Sequence, residues 1–141
     1  MWEKEYKIET SAETGRIWSL LEDVKNWNKW NVDIEYSFLN GNFENGTYGS
    51  YKTTKGLNSI FILFELKNCV TNRSVTCRIK LFLGIMDIGY EIINENNAQK
   101  VQHFIKIYGP LTFYYKNKFG INILKRLQLS VKKLVNLAKL C

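Results

Sequence analysis

A single histidine stands in 141 residues, with one proline, two methionines and three cysteines. One imidazole cannot build a histidine cluster, and Cys69, Cys77 and Cys141 form no Cys-x-x-Cys pair. The sequence therefore speaks against a zinc site, and no metal or cofactor is expected. Three cysteines without paired spacing point to a reducing, cytoplasmic setting rather than a disulfide framework. No run of 18 apolar residues occurs, so no membrane-spanning helix is expected. The opening stretch MWEKEYKIET is charged and alternating, without the apolar block of a signal peptide. Pro110 is the only proline, and no linker, repeat or low-complexity segment divides the chain. One domain over residues 1–141 is expected, large enough to bury a real core.

Acid is absent from the last third. Residues 1–95 hold 11 Lys/Arg against 13 Asp/Glu, a net of −2. Residues 96–141 hold nine Lys/Arg and no acid, so the whole excess of +7 lies there. Much of it falls on a helix-patterned segment. A basic amphipathic helix can lie on an anionic membrane surface. Late lysines also suit a helix C-terminus facing water. Nucleic-acid binding is not expected, because no recognition motif is present and the basic helix is needed to cover a sheet.

What is present alternates. EKEYKIE reads as a strand with Tyr6 and Ile8 on one face. TSAETGRIWSLLED reads as a helix with Ser11 as N-cap and Ile17, Leu20 and Leu21 at helical spacing. DVKNWNKWNVD places Trp27 and Trp30 on one side of a second, short helix, among polar neighbours. Such large apolar rings need cover. VDIEYSF alternates again, with Val32, Ile34, Tyr36 and Phe38 on one expected inner face. Gly41, Gly46 and Gly49 mark a turn and a bent strand, and NSIFILFELKN is a long apolar run.

Three hairpins can be registered from their turns. Centres at Asn72-Arg73, Gly84-Ile85 and Asn96-Asn97 set Phe64 opposite Leu81, Leu66 opposite Ile79, and Leu81 opposite Ile88. They also set Ile88 opposite Ile105 and Ile92 opposite Val101. Glu65, Lys67, Arg78, Lys80, Glu91 and Lys106 then share the other face. A slip of one residue would invert this sorting, so the sorting supports the register. Phe61, Leu63 and Phe82 do not obey it. From Leu111 to Leu140 the pattern becomes helical, with Leu124, Leu127, Val131, Leu134, Val135 and Ala138 as one stripe. A single helix there would be roughly 45 Å long, with Gly120 inside it. The expected fold class is α+β: an antiparallel sheet of six or seven strands wrapped around one long C-terminal helix. Two short helices sit between the first and second strands.

Three segments in this order, SAETGRIWSLLEDVKNWNKWN, LNGNFENGTYG and VQHFIKIYGPL before the long helix, resemble the START/polyketide cyclase-like superfamily. The likeness runs over the whole chain, with one departure: Asn28 stands where the family often has proline. It implies a helix-grip fold with a cavity between sheet and helix for a small apolar ligand, a lipid, isoprenoid or polyketide. The short second helix would close one end of that cavity, with Trp27 and Trp30 either at its mouth or stapling the helix to the core.

The register sets Tyr90 opposite His103 on the inner face, flanked by Ile79, Ile88, Val101 and Ile105. The expected ligand contacts are Trp30, Tyr36, Phe64, Ile79, Tyr90, His103, Ile105 and Leu124. Three readings of the pair stay open: mutual satisfaction as a buried polar pair, contact with a ligand, or catalysis of the aromatase/cyclase kind. No Asp or Glu falls on the inner face to orient His103 as a general base. Expected partners are a small apolar ligand and, through the basic helix, an anionic membrane.

Overall fold

The computed structural model describes residues 1–140; Cys141 lies outside the described residues. β1 (Trp2–Glu9) is followed by α1 (Thr14–Glu22) and a 3-10 helix (Val24–Lys29). Then come β2 (Ile34–Leu39), β3 (Tyr48–Thr53), β4 (Phe61–Val70), β5 (Ser74–Leu81), β6 (Gly84–Glu95) and β7 (Ala98–Tyr108). The chain closes with α2 (Thr112–Phe119) and α3 (Ile123–Leu140). Seven strands form one sheet in the order β1-β7-β6-β5-β4-β3-β2, with every pairing antiparallel. β1 reaches the far edge by pairing with β7, Tyr6 opposite His103.

The sheet is amphipathic by alternation, and its concave face is the core. Ile62, Phe64 and Leu66 of β4, Val75 and Ile79 of β5, and Met86, Tyr90 and Ile92 of β6 are buried there. Val101, His103, Ile105 and Ile107 of β7 complete the wall. α3 lies against β1, β7 and α1 and buries Ile123, Leu127, Ser130, Val131, Leu134, Val135 and Ala138. Each fully buried large aliphatic side chain contributes about 1.5–3 kcal/mol. The charged outer face carries one well-built pair, Arg78 donating to both carboxylate oxygens of Asp87 at 2.9 and 3.0 Å.

The β6–β7 register is the expected one: Ile88 faces Ile105, Tyr90 faces His103 and Ile92 faces Val101. Asn96 and Asn97 take left-handed φ of 54° and 61° at its turn, as a tight hairpin requires. The other two registers differ. Leu66 faces Cys77 rather than Ile79, a shift of two, and β4 carries an irregularity between Lys67 and Val70. Leu81 faces Gly84, so the β5–β6 turn is Phe82-Leu83 rather than Gly84-Ile85, a shift of four. Even shifts keep every side chain on its face, which is why the inner wall is as expected. Phe61, Leu63 and Phe82 are exposed: the first two stand on the outer face and the third on the turn.

Ser11 does not cap α1, which starts at Thr14 with Glu13 at the N-cap position and no side-chain cap bond. Two larger expectations also fail for local reasons. Tyr36 is 49% exposed rather than inward. A bulge between Ile34 and Tyr36 breaks the alternation, so Ile34 and Ser37 turn in and Tyr36 and Phe38 turn out. The Ser37 hydroxyl donates to the Val24 carbonyl at 2.5 Å, which fixes the flipped phase. The second failure is the single long helix. The chain breaks between Phe119 and Ile123, with Asn122 at φ 53°. Leu124 falls outside the buried stripe and is 51% exposed, because Ile123, four residues before Leu127, takes the inward place. The 18 residues of α3 span about 27 Å instead of 45 Å.

Candidate functional site

Between sheet, 3-10 helix and α3 lies a cavity of about 60 Å³. Its floor is the inner face of β3 to β7, including Tyr51, Ile62, Val75, Cys77, Tyr90 and His103. Its roof is Trp27 and Trp30, and its mouth is edged by Leu57, Asp33, Phe119, Ile123 and Arg126. The lining is mostly apolar with a few polar groups, the composition of a small-molecule site. One water needs roughly 10–15 Å³ by this measure, so the space takes about four waters or a few heavy atoms.

Three rings organise the roof and floor. Trp30 stands edge-on to Tyr90 at 5.3 Å between centroids. Tyr90 lies flat on His103 at 4.0 Å and 12°. The register sets Tyr90 directly opposite His103 and so makes the two rings neighbours. The Trp27 indole donates from Nε1 to the Leu21 carbonyl at 2.9 Å and lies on Phe64 at 5.7 Å, holding the roof down.

Face-to-face stacking leaves the polar atoms of the pair pointing away from each other. The Tyr90 hydroxyl and both His103 ring nitrogens are buried and make no hydrogen bond within the described residues. Such atoms are rare, since an unmet buried donor or acceptor costs about 1–3 kcal/mol. Burial drives the His103 pKa down to about 3; the nearby Leu127 carbonyl works against this shift and Arg126 adds to it. The Leu127 contact lacks hydrogen-bond geometry, so it leaves the ring nitrogens unmet. Burial likewise holds the Tyr90 phenol well above its ordinary value. At neutral pH both groups are uncharged, and each can give and accept one hydrogen bond.

The mouth is closed by Arg126. Its guanidinium donates to the Phe119 carbonyl from Nη1 and Nη2 at 3.1 and 2.6 Å, and to the Ile121 carbonyl at 2.6 Å. It therefore caps the end of α2 and spans the break. Its Nε lies 3.1 Å from Asp33 Oδ1 without the alignment of a hydrogen bond, so that contact is a charge pair. Burial raises the Asp33 pKa, and Arg126 opposes the rise.

Known structures share this architecture. A START superfamily protein from Mycobacterium smegmatis superposes with a TM-score of 0.69 at 12% identity, over 95% of this chain and 97% of its own. The Zhui aromatase/cyclase from Streptomyces sp. R1128 gives 0.73 at 7% identity, over 98% and 93%. Protein NE0264 from Nitrosomonas europaea gives 0.75 at 11% identity, over 97% and 94%. The fold is that of the START/polyketide cyclase-like proteins. No protein-family model matches the chain, and no curated protein matches its sequence.

On this START-like frame, four of the expected contact residues line the cavity: Trp30, Tyr90, His103 and Ile105. Phe64 and Ile79 are buried beside it without lining it. Phe64 is closed off by Trp27 and fills the space over Gly49, where a β-carbon would come within 2.4 Å of its ring. Tyr36 and Leu124 are outside altogether, for the reasons given above. Sequence reasoning missed Tyr51, Asp33 and Arg126. Tyr51 is two residues from Gly49 on the bent strand, and alternation from that glycine would have turned it inward. Nothing in the spacing of Asp33 and Arg126, 93 positions apart, announces their pairing. Among the described residues no helix is long and apolar enough to cross a membrane.

Proposed function

We propose that this chain binds a small, uncharged, largely apolar molecule in the START-like cavity. The unmet hydrogen-bonding atoms of Tyr90 and His103 support this most directly. They offer a hydroxyl, carbonyl or amide on the ligand its partners inside an otherwise apolar wall. The neutral state of both groups favours an uncharged polar end over a carboxylate or ammonium, whose burial would cost far more. Burial also makes His103 a weak base at neutral pH, which counts against proton abstraction from a polyketide-like chain. A ligand of more than a few heavy atoms needs the mouth to widen. The break at residues 120–122 adjoins Phe119 and Ile123 and is the place for that movement.

Native mass spectrometry of the protein from its own host, followed by organic extraction, tests the reading. The expected result is a stoichiometric, neutral, apolar molecule, retained by wild type and lost from Tyr90→Phe combined with His103→Leu. Val75→Phe, which fills the floor, should also release it. A protein that stays empty on incubation with neutral apolar alcohols and ketones overturns the reading.

A further inference from the structure

We propose that the end of the molecule made by the β5–β6 turn, α2 and the α2–α3 break docks on an anionic lipid bilayer. Six large apolar side chains are exposed there: Phe82, Leu83, Phe113, Tyr114, Ile121 and Leu124. They come from three elements that are tied together. The Tyr115 hydroxyl of α2 donates to the Phe82 carbonyl at 2.7 Å, and Arg126 of α3 holds the Phe119 and Ile121 carbonyls.

The turn itself is unusual in its chemistry. A two-residue hairpin favours Asn or Gly where φ is positive. The Asn96-Asn97 turn follows that rule, at φ 54° and 61°. The Phe82-Leu83 turn does not: Leu83 is held at φ 51°, a strained conformation for that residue, and Phe82 is 75% exposed. Neither burial nor backbone preference accounts for two apolar residues there. Insertion of a hydrophobic tip into a membrane interface does.

Charge selects the occupant. Lys80, Lys116, Lys118 and Lys125 surround these tips, are exposed, and enter no salt bridge among the described residues. The acids on this side are neutralised: Asp33 by Arg126, Asp87 by Arg78, Glu3 by Lys106 and Glu35 by Lys52. Lys118 lies over the Phe119 ring at 5.6 Å, and apolar tips beside lysines that have no acidic partner match anionic headgroups over acyl chains. The apolar stripe of α3 is already buried on the sheet, so the docking surface is this end and not the length of the basic helix. Phe119 and Ile123 line the cavity from the same segment, so docking turns the cavity mouth toward the lipid. The inference stands whether or not the cavity binds a ligand.

The test is co-sedimentation of the full chain with vesicles of phosphatidylcholine containing about 30 mol% phosphatidylglycerol, against pure phosphatidylcholine. Binding is expected only to the anionic vesicles, weakening as salt rises from about 0.1 M to 1 M. Lys116→Glu with Lys118→Glu should weaken it at least roughly tenfold, since each basic residue near the surface is worth about fivefold. Lys132→Glu with Lys133→Glu changes the net charge equally on α3, away from the tips, and should leave binding within about threefold. Phe82→Asn with Leu83→Gly relieves the turn. It should hold or raise the melting temperature while lowering vesicle binding by tenfold or more. Four results would each overturn the proposal: no binding to anionic vesicles, equal loss from both lysine pairs, full binding by the turn variant, or a concentration-dependent dimer abolished by the turn variant.

Discussion

Replacing His103 by leucine should make the ligand-free protein more stable and its ligand complex weaker. Leucine has nearly the volume of the imidazole, so the change leaves little void. It removes two buried nitrogens that have no hydrogen-bond partner in the described structure. Each such atom costs about 1–3 kcal/mol. Against that gain stands the loss of the flat stack on Tyr90 at 4.0 Å, worth about 0.5–1.5 kcal/mol. The net is about 0.5–5.5 kcal/mol in favour of the variant, or a rise in melting temperature of about 2–16 °C for a chain of this size. Binding of a hydroxyl- or carbonyl-bearing ligand should fall about three- to tenfold, the worth of one neutral hydrogen bond. Urea unfolding of delipidated protein, followed by near-ultraviolet dichroism, reads the first quantity. A titration with the extracted ligand reads the second. A variant that loses more than about 1 kcal/mol of stability and keeps its ligand would show His103 to be a structural group and refute the reasoning.

Stability should fall on acidification below pH 6.5. His103 has a pKa of about 3 when folded and 6.5 when unfolded, so between these values only the unfolded chain carries the proton. The unfolded state then binds more protons, and the loss reaches about 4–5 kcal/mol by pH 3. Asp33, whose pKa is raised on folding, acts in the opposite sense, favouring the folded state in acid. His103→Leu should therefore flatten the slope of stability between pH 6.5 and 4 in equilibrium urea titrations. Gly120→Ala tests the helix break. In a continuous helix alanine would add about 1 kcal/mol. Here its β-carbon would meet the Lys116 carbonyl at 2.3 Å and the Trp2 ring at 2.8 Å, so a loss of about 1–3 kcal/mol is expected in urea unfolding. Arg126→Lys keeps the charge near Asp33 but cannot reproduce three donations to two carbonyls. Amide exchange at residues 119–123 should quicken and stability drop by about 1–2 kcal/mol.

Much of the inner wall is legible in the sequence because strand alternation has period two. The registers at Phe82-Leu83 and near Asn72 differ from the expected ones by four and two residues, and parity survives an even shift. Tyr36 shows the opposite case: one bulge residue changes parity, and nothing in VDIEYSF marks it. Leu124 belongs to the apolar stripe only if the helix runs unbroken through residues 120–122, and the break there shifts the inward phase to Ile123. The position of Tyr90 beside His103 is readable from the Asn-Asn turn, but their stacking is not. Register fixes which residues are neighbours, whereas ring orientation depends on Trp30 pressing from the roof. Arg126 and Asp33 meet only through the closed fold, so their pairing has no local signature.

β1 can take its place only after β7 exists to receive it, some ninety residues later in the chain. α3, which covers the concave wall, is later still. Strands β2 to β7 pair in sequence, each with the one before it, and can zip as they emerge. During synthesis the apolar face of that sheet, covered in part by the 3-10 helix, therefore lacks its main cover until the last helix is made. Folding should be slow, in the millisecond-to-second range of proteins rich in distant contacts. The nascent sheet is a natural client for a chaperone that shields strands. Moving β1 behind β7 by circular permutation would shorten its search, and should speed refolding without altering the cavity.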